Sequence, residues 1–327
     1  MKVISVIFLL FSFSVFSNPL CQGDQAGQSD LRLDLLFALQ LQTGYFLNNQ
    51  YDIPLKAKYK TVKFDAKTLD KFRGLTGNGF KFSTLPAYFL SLNCELNQIA
   101  SVPASEVRLP ADKEKLFADF VSSLSDELSH GLINQLVVLP GNFDIDHALH
   151  ASLIKKTKAA LRTKFNRFPQ DVTVLLHPLL HDGGFFIKVG DVAYSLIGPT
   201  STSGNKVDFG PQGRIIELVA HELSHGVVDQ TVYSSDVTDC QGFSTELFRQ
   251  TMKKNGYIEV KTIVTEHMVR AIVLNVLKQL EPAFMVEVAK REQNSGYKDL
   301  RQLAAMFERE NDIHLMFTQT KKLFSCH

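Results

Sequence analysis

The run Val219-Ala-His-Glu-Leu-Ser-His-Gly-Val227 decides how this chain is read. It sets His221, Glu222 and His225 in H-E-x-x-H order within an otherwise apolar frame. On a helix, two histidines four positions apart leave the same face, separated by about 40° of rotation and about 6 Å of rise. Two imidazoles so placed can share one divalent ion such as Zn²⁺, with Glu222 beside them as a base for a water on that ion. Ile215, Ile216, Leu218, Val219, Leu223, Val227 and Val228 recur at helical spacing, so Arg214 to Asp229 is predicted to be a helix buried on one side. Thr200 to Asn205 and Pro211 to Gly213 read as the loop that starts it. A buried helix must find partners for two imidazoles and a carboxylate, and a metal supplies one. Hydrogen-bonded core histidines without metal are the competing structural explanation.

Working outward, Asp171 to His177, Phe185 to Val189 and Val192 to Ile197 are β-branched and apolar, and Gly183-Gly184 makes a turn between the first two. They predict a small sheet just before the metal helix. Helices are expected over Ser29–Tyr45, Ala66–Leu75, Leu85–Leu92, Asp112–Leu136 and Asp146–Phe165, with Asn48–Val62 irregular and everything beyond Phe243 helical. Lys155, Lys156, Lys158, Arg162, Lys164 and Arg167 form a basic run that a solvated helix face explains. The expected class is α+β, mostly helical, with residues 18–165 a helical region and 166–327 the region carrying the metal helix. The two can equally form one folded unit.

Met1 to Ser17 is a basic start followed by the apolar run Val3–Phe16, too short to span a bilayer comfortably. It reads as a signal peptide cut near Ser17/Asn18, which places the chain in the periplasm or outside the cell. Leu20 before Cys21 argues against lipidation. No later segment is apolar enough for stable membrane insertion. Without Lys2, 34 basic residues balance 34 acidic ones, which argues against nucleic acid as a partner. Cys21, Cys94, Cys240 and Cys326 suit two disulfides in an exported chain, with three connectivities open and Cys240–Cys326 the favoured pair.

A catalytic zinc takes three protein ligands and keeps a fourth position for water. Val228 and Thr231 exclude the extended motif that would supply a third ligand from the same run. Asp236, Asp239, Glu246, Glu259, Glu266 and His267 remain. Glu266 stands out because Tyr257 to Leu280 is apolar nearly all round, and a buried carboxylate there needs a strong partner. An ion pair with Arg270 at i+4 is its alternative explanation, and Arg270 can also orient Glu266 as a ligand. His267, Tyr194, Tyr233 and Tyr257 are candidates to bind a developing oxyanion. His177 and His181 are read as strand-end loop histidines, and His147 and His150 as surface or boundary residues.

The metal helix followed by a glutamate on a later helix resembles gluzincin-type zinc metallopeptidases. RLDLLFALQLQTGY, HELSHGVVD, TEHMVRAI and REQNSGYKDLRQLAAMFEREN are similar to a secreted bacterial family known mainly as a domain of unknown function. The resemblance implies a zincin fold, one Zn²⁺ per chain on His221, His225 and Glu266, and Glu222 as general base in cleaving a peptide or protein substrate. Its third ligand comes 41 positions after His225, further than in thermolysin-like enzymes. In zincins an edge strand aligns the substrate, a role that would fall to the Phe185–Ile197 hairpin. The alternative function is a non-catalytic exported binding protein with a structural or vestigial metal site.

Overall fold

The computed structural model describes residues 30–44, 53–76, 83–101, 103, 108–139, 144–166, 168–169, 171–254 and 257–327. The run read as a signal peptide, Cys21 and Arg167 lie outside them. The fold is α+β and mostly helical. The first helices are α1 Leu31–Thr43, α2 Ile53–Lys60, α3 Ala66–Leu75, α4 Thr84–Leu90, α5 Ala111–Ser129, α6 Leu132–Val137 and α7 His147–Lys164. Asp30 caps α1 by accepting from the Arg32 amide at 2.9 Å. Helix α2 corrects the irregular reading of Asn48–Val62: its sequence carries a weak apolar stripe, and it forms by packing on α1. The long amphipathic stretch predicted over Asp112–Leu136 is two helices, because Gly131 takes φ 90° between them.

Strands β1 Val172–Leu176, β2 Gly184–Val189 and β3 Val192–Ile197 form one sheet in the order β1-β3-β2. β1 runs parallel to β3, and β2 pairs antiparallel to β3 as a hairpin, so β2 is an edge. A separate ribbon of β4 Ser201–Ser203 and β5 Lys206–Asp208 occupies a stretch read as loop. Then come α8 Gln212–Tyr233, α9 Glu246–Lys254, α10 Val260–Leu280, α11 Pro282–Asn294, α12 Leu300–Phe307 and α13 Ile313–Phe324.

Alternation along the strands explains how the layers stack. Val172, Val174, Leu176, Ala193 and Ile197 join one core with α7, α8 and α10. Leu175, Ile187, Val189, Tyr194 and Leu196 join a second core built from α1 to α6. Burial on both faces is why the strands are apolar nearly throughout. His177 follows directly on the end of β1, as its strand-end reading expects, but it is a core residue. It is fully buried, donating from Nε2 to Asp34 at 3.2 Å, while Tyr59 donates to the same oxygen at 2.7 Å. His150 is likewise buried, against Phe209, whereas His147 is exposed.

Helix α10 is buried almost continuously from Ile263 to Leu277 and packs chiefly on α8. The chain end returns to α8 through the predicted Cys240–Cys326 disulfide, flanked by backbone hydrogen bonds from Gln241 to Ser325 and from His327 to Asp239. Cys94 is also disulfide-bonded. No helix among the described residues is long and apolar enough to cross a membrane.

Candidate metal centre

Helix α8 presents His221 and His225 one turn apart, and α10 crosses it with Glu266 facing them. Their nearest nitrogens, both Nε2, lie 3.3 Å apart. Glu266 Oε2 is 3.7 Å from His221 Nε2, and Oε1 is 3.6 Å from His225 Nε2. Two donors on a tetrahedral zinc with bonds of about 2.0–2.1 Å stand about 3.3–3.4 Å apart. The three side chains therefore already hold the edges of such a polyhedron to within a few tenths of an ångström. Among the described residues, this is the group of His, Cys, Asp and Glu able to hold a metal ion.

The local electrostatics suit that role. Burial first, then the cations of Arg270 and of His225, push the His221 imidazole well below its usual range, so it stays neutral with a lone pair free. His225 donates a hydrogen bond from Nδ1 to Asp229, 2.8 Å away on the next turn, which leaves Nε2 for an ion. Burial lowers its affinity for protons, but Asp229 more than offsets this and the net shift is upward. Asp229 was not among the residues singled out from sequence. Its signal is the i+4 position after His225, in HELSHGVVD.

Glu222 lies outside the ligand group and only 5 % exposed, against the start of edge strand β2. A Cβ on Gly184 would fall 2.9 Å from Glu222 Cγ and 2.8 Å from the Leu196 carbonyl oxygen. Only glycine lets the strand come this close. Arg214 of α8 pairs with Asp182 in the loop before β2, which ties that strand start to the same helix. Burial is the largest influence on Glu222 and raises its carboxyl to about 7, with His225 and Arg270 pulling the other way. A carboxylate balanced near neutrality is suited to taking and returning a proton.

Arg270 donates from Nη1 to Glu266, as an i,i+4 pair, and from Nε to Glu292 of α11 at 2.7 Å. Its guanidinium lies 4.1 Å from the Tyr297 ring centre and 5.8 Å from that of Tyr257. Tyr257 is thus the oxyanion candidate packed against the ligand network. Tyr233 stands two turns beyond His225, with its hydroxyl 3.0 Å from Thr262 Oγ1. Tyr194 points to the other face of the sheet, toward α1 to α6. His267 does not face a cleft: one position from Glu266 turns it about 100° around the helix. There it is fully buried among Phe243, Phe248, Tyr297 and Phe324, donating to the Ile263 carbonyl.

No curated protein and no solved structure matches the chain. Residues 170–322, which hold the sheet, α8 and α10, are similar to a family described as a domain of unknown function, DUF4932.

Proposed function

We propose that this chain is an exported zinc metallopeptidase of the gluzincin type, with a zincin-like arrangement of sheet and metal helix. The observation that carries the reading is the His221–His225–Glu266 triangle, at edges of 3.3, 3.6 and 3.7 Å, beside a separate buried carboxylate. A structural site would have little use for Glu222, which is no member of the ligand group yet sits beside it under the start of an edge strand. The donor set of two imidazoles and one carboxylate suits zinc and leaves a coordination position for water. Zinc bound there supplies a Lewis acid and a water made acidic enough to react near neutral pH.

The chain's own groups do the rest. Glu222 takes the proton from the attacking water and returns it to the leaving amine. Asp229 keeps the His225 ring oriented with Nε2 forward, and Arg270 holds Glu266. An extended peptide adds to the edge of β2 at its Gly184 end, away from Val189, which is bridged to Pro103, its carbonyl delivered beside Glu222 by backbone hydrogen bonds. Export rests on the basic, then apolar, start of the sequence and on the disulfides.

The test combines elemental analysis with cleavage of a quenched-peptide library. The purified chain should carry about one zinc and lose cleavage on chelation. His221→Ala should lose the metal, while Glu222→Gln should keep it and cleave at least about 100-fold more slowly. Full turnover by Glu222→Gln removes the base assignment. Bound metal with no cleavage of any peptide leaves the binding-protein reading in its place.

A further inference from the structure

The ligand Glu266 is the first member of a ring of charges that closes on the metal helix. Arg270 bonds Glu266 through Nη1 and Glu292 through Nε, with Tyr297 against its face. The other oxygen of Glu292 accepts from Arg291, at 2.8 Å from Nη2 and 3.3 Å from Nε. Arg291 grips both oxygens of Glu217. Glu217 lies on α8 one turn before His221. The path Glu266–Arg270–Glu292–Arg291–Glu217 therefore runs from α10 through α11 back to the helix that carries the histidines. We infer that Glu292, Arg291 and Glu217 are positioning residues that fix Glu266 as a metal ligand through Arg270; this rests on the metal-site reading above.

The physical reason is rotational freedom. An i,i+4 pair alone leaves both long side chains able to swing. Glu292 takes a second edge of the Arg270 guanidinium and Tyr297 takes a face, so the Nη1 edge is left aimed at Glu266. Glu292 is itself buried and held by Arg291. The ring also pairs the charges: Glu292 accepts from both Arg270 and Arg291, and Glu217 from Arg291, so each guanidinium beside the site has a carboxylate against it. Removing Glu292 both frees Arg270 and uncovers its charge beside the ion. Outer partners of metal ligands typically set affinity by 10–100-fold.

The experiment titrates Zn²⁺ into the metal-free full chain against a chromophoric chelator, and follows thermal unfolding of the same metal-free samples. Glu292→Gln should weaken Zn²⁺ binding about 10-fold or more while the metal-free unfolding temperature stays put. Arg291→Met, at a half-exposed position, should weaken binding in the same direction by a smaller factor. Glu308→Gln, in the exposed Lys278–Glu308 pair at the far end of α10, should change nothing. Unchanged Zn²⁺ affinity in Glu292→Gln overturns the inference, and so does a loss matched by an equal loss of metal-free stability. If the natural chain takes up no metal, the metallopeptidase reading falls before any variant is compared.

Discussion

Gly184 and Glu222 show how much a single residue settles here. The strand start fits over the carboxyl only because no Cβ intervenes, so Gly184→Ala must displace either β2 or Glu222. A misplacement of about 1 Å at a reacting group costs about 100-fold in rate. We expect Gly184→Ala to lose roughly that much peptide cleavage with metal content unchanged, measured by steady-state rates and elemental analysis. Glu127 gives a test remote from the site. Burial is the main cause that raises its carboxyl above the usual range, against bonds from Thr68 and the Asp65 amide. A carboxyl whose folded pKa is raised is protonated more readily folded than unfolded, so its ionisation costs stability as pH rises through that interval. Glu127→Gln should therefore match the natural chain near pH 4 and be more stable at pH 7, in urea unfolding at the two pH values. A gap that shrinks with rising pH would contradict it. At this scale His221 and His225 were legible from type and spacing, and Glu266 as a candidate from the cost of burying a carboxylate; the fold brings the three together. Asp229 and Gly184 were not legible, since one is an ordinary helix-surface aspartate and the other an ordinary turn glycine until a partner is in place.

Among the elements, α10 was the easiest to read, because apolar residues on every side leave burial as the only outcome. The Asp112–Leu136 stretch was harder: its periodicity runs through Gly131, and only the path of the backbone showed two helices. The small β4–β5 ribbon was missed because its strands, Ser-Thr-Ser and Lys-Val-Asp, are too short for an alternation that differs from a polar loop. The closing element is α13, pinned to the segment after α8 by Cys240–Cys326 across a separation of 86 residues. A bridge over so long a loop typically adds about 2–4 kcal/mol by restricting the unfolded chain. The Cys240→Ala/Cys326→Ala double variant should lose about that much in equilibrium unfolding. A loss well under 1 kcal/mol would mean that the antiparallel pairing of the two segments already suffices.

At the scale of the whole molecule, the N-terminal helices and the C-terminal half share one sheet. Among the described residues, Leu175, Ile187, Val189, Tyr194 and Leu196 pack in one core with the former. Residues 166–327 expressed alone would expose that apolar face, so we expect the fragment to aggregate or to lack a cooperative unfolding transition. A soluble fragment that unfolds cooperatively and binds zinc as the full chain does would show two independent domains instead. The sequence by itself determined the pieces: a helix with two imidazoles and a carboxylate, an apolar helix with a stranded acid, a short run of strands before them, and cysteines suited to bridging. Those follow from local periodicity and from the cost of burying charge, which neighbours along the chain already reveal. Only the tertiary structure decided which acid meets the histidines, that His267 turns into an aromatic pocket, that β2 is the edge above Glu222, and that Glu217 and Glu292 join one ring. Such pairings depend on how helices cross and strands order across tens of residues, and no spacing within a single segment encodes them.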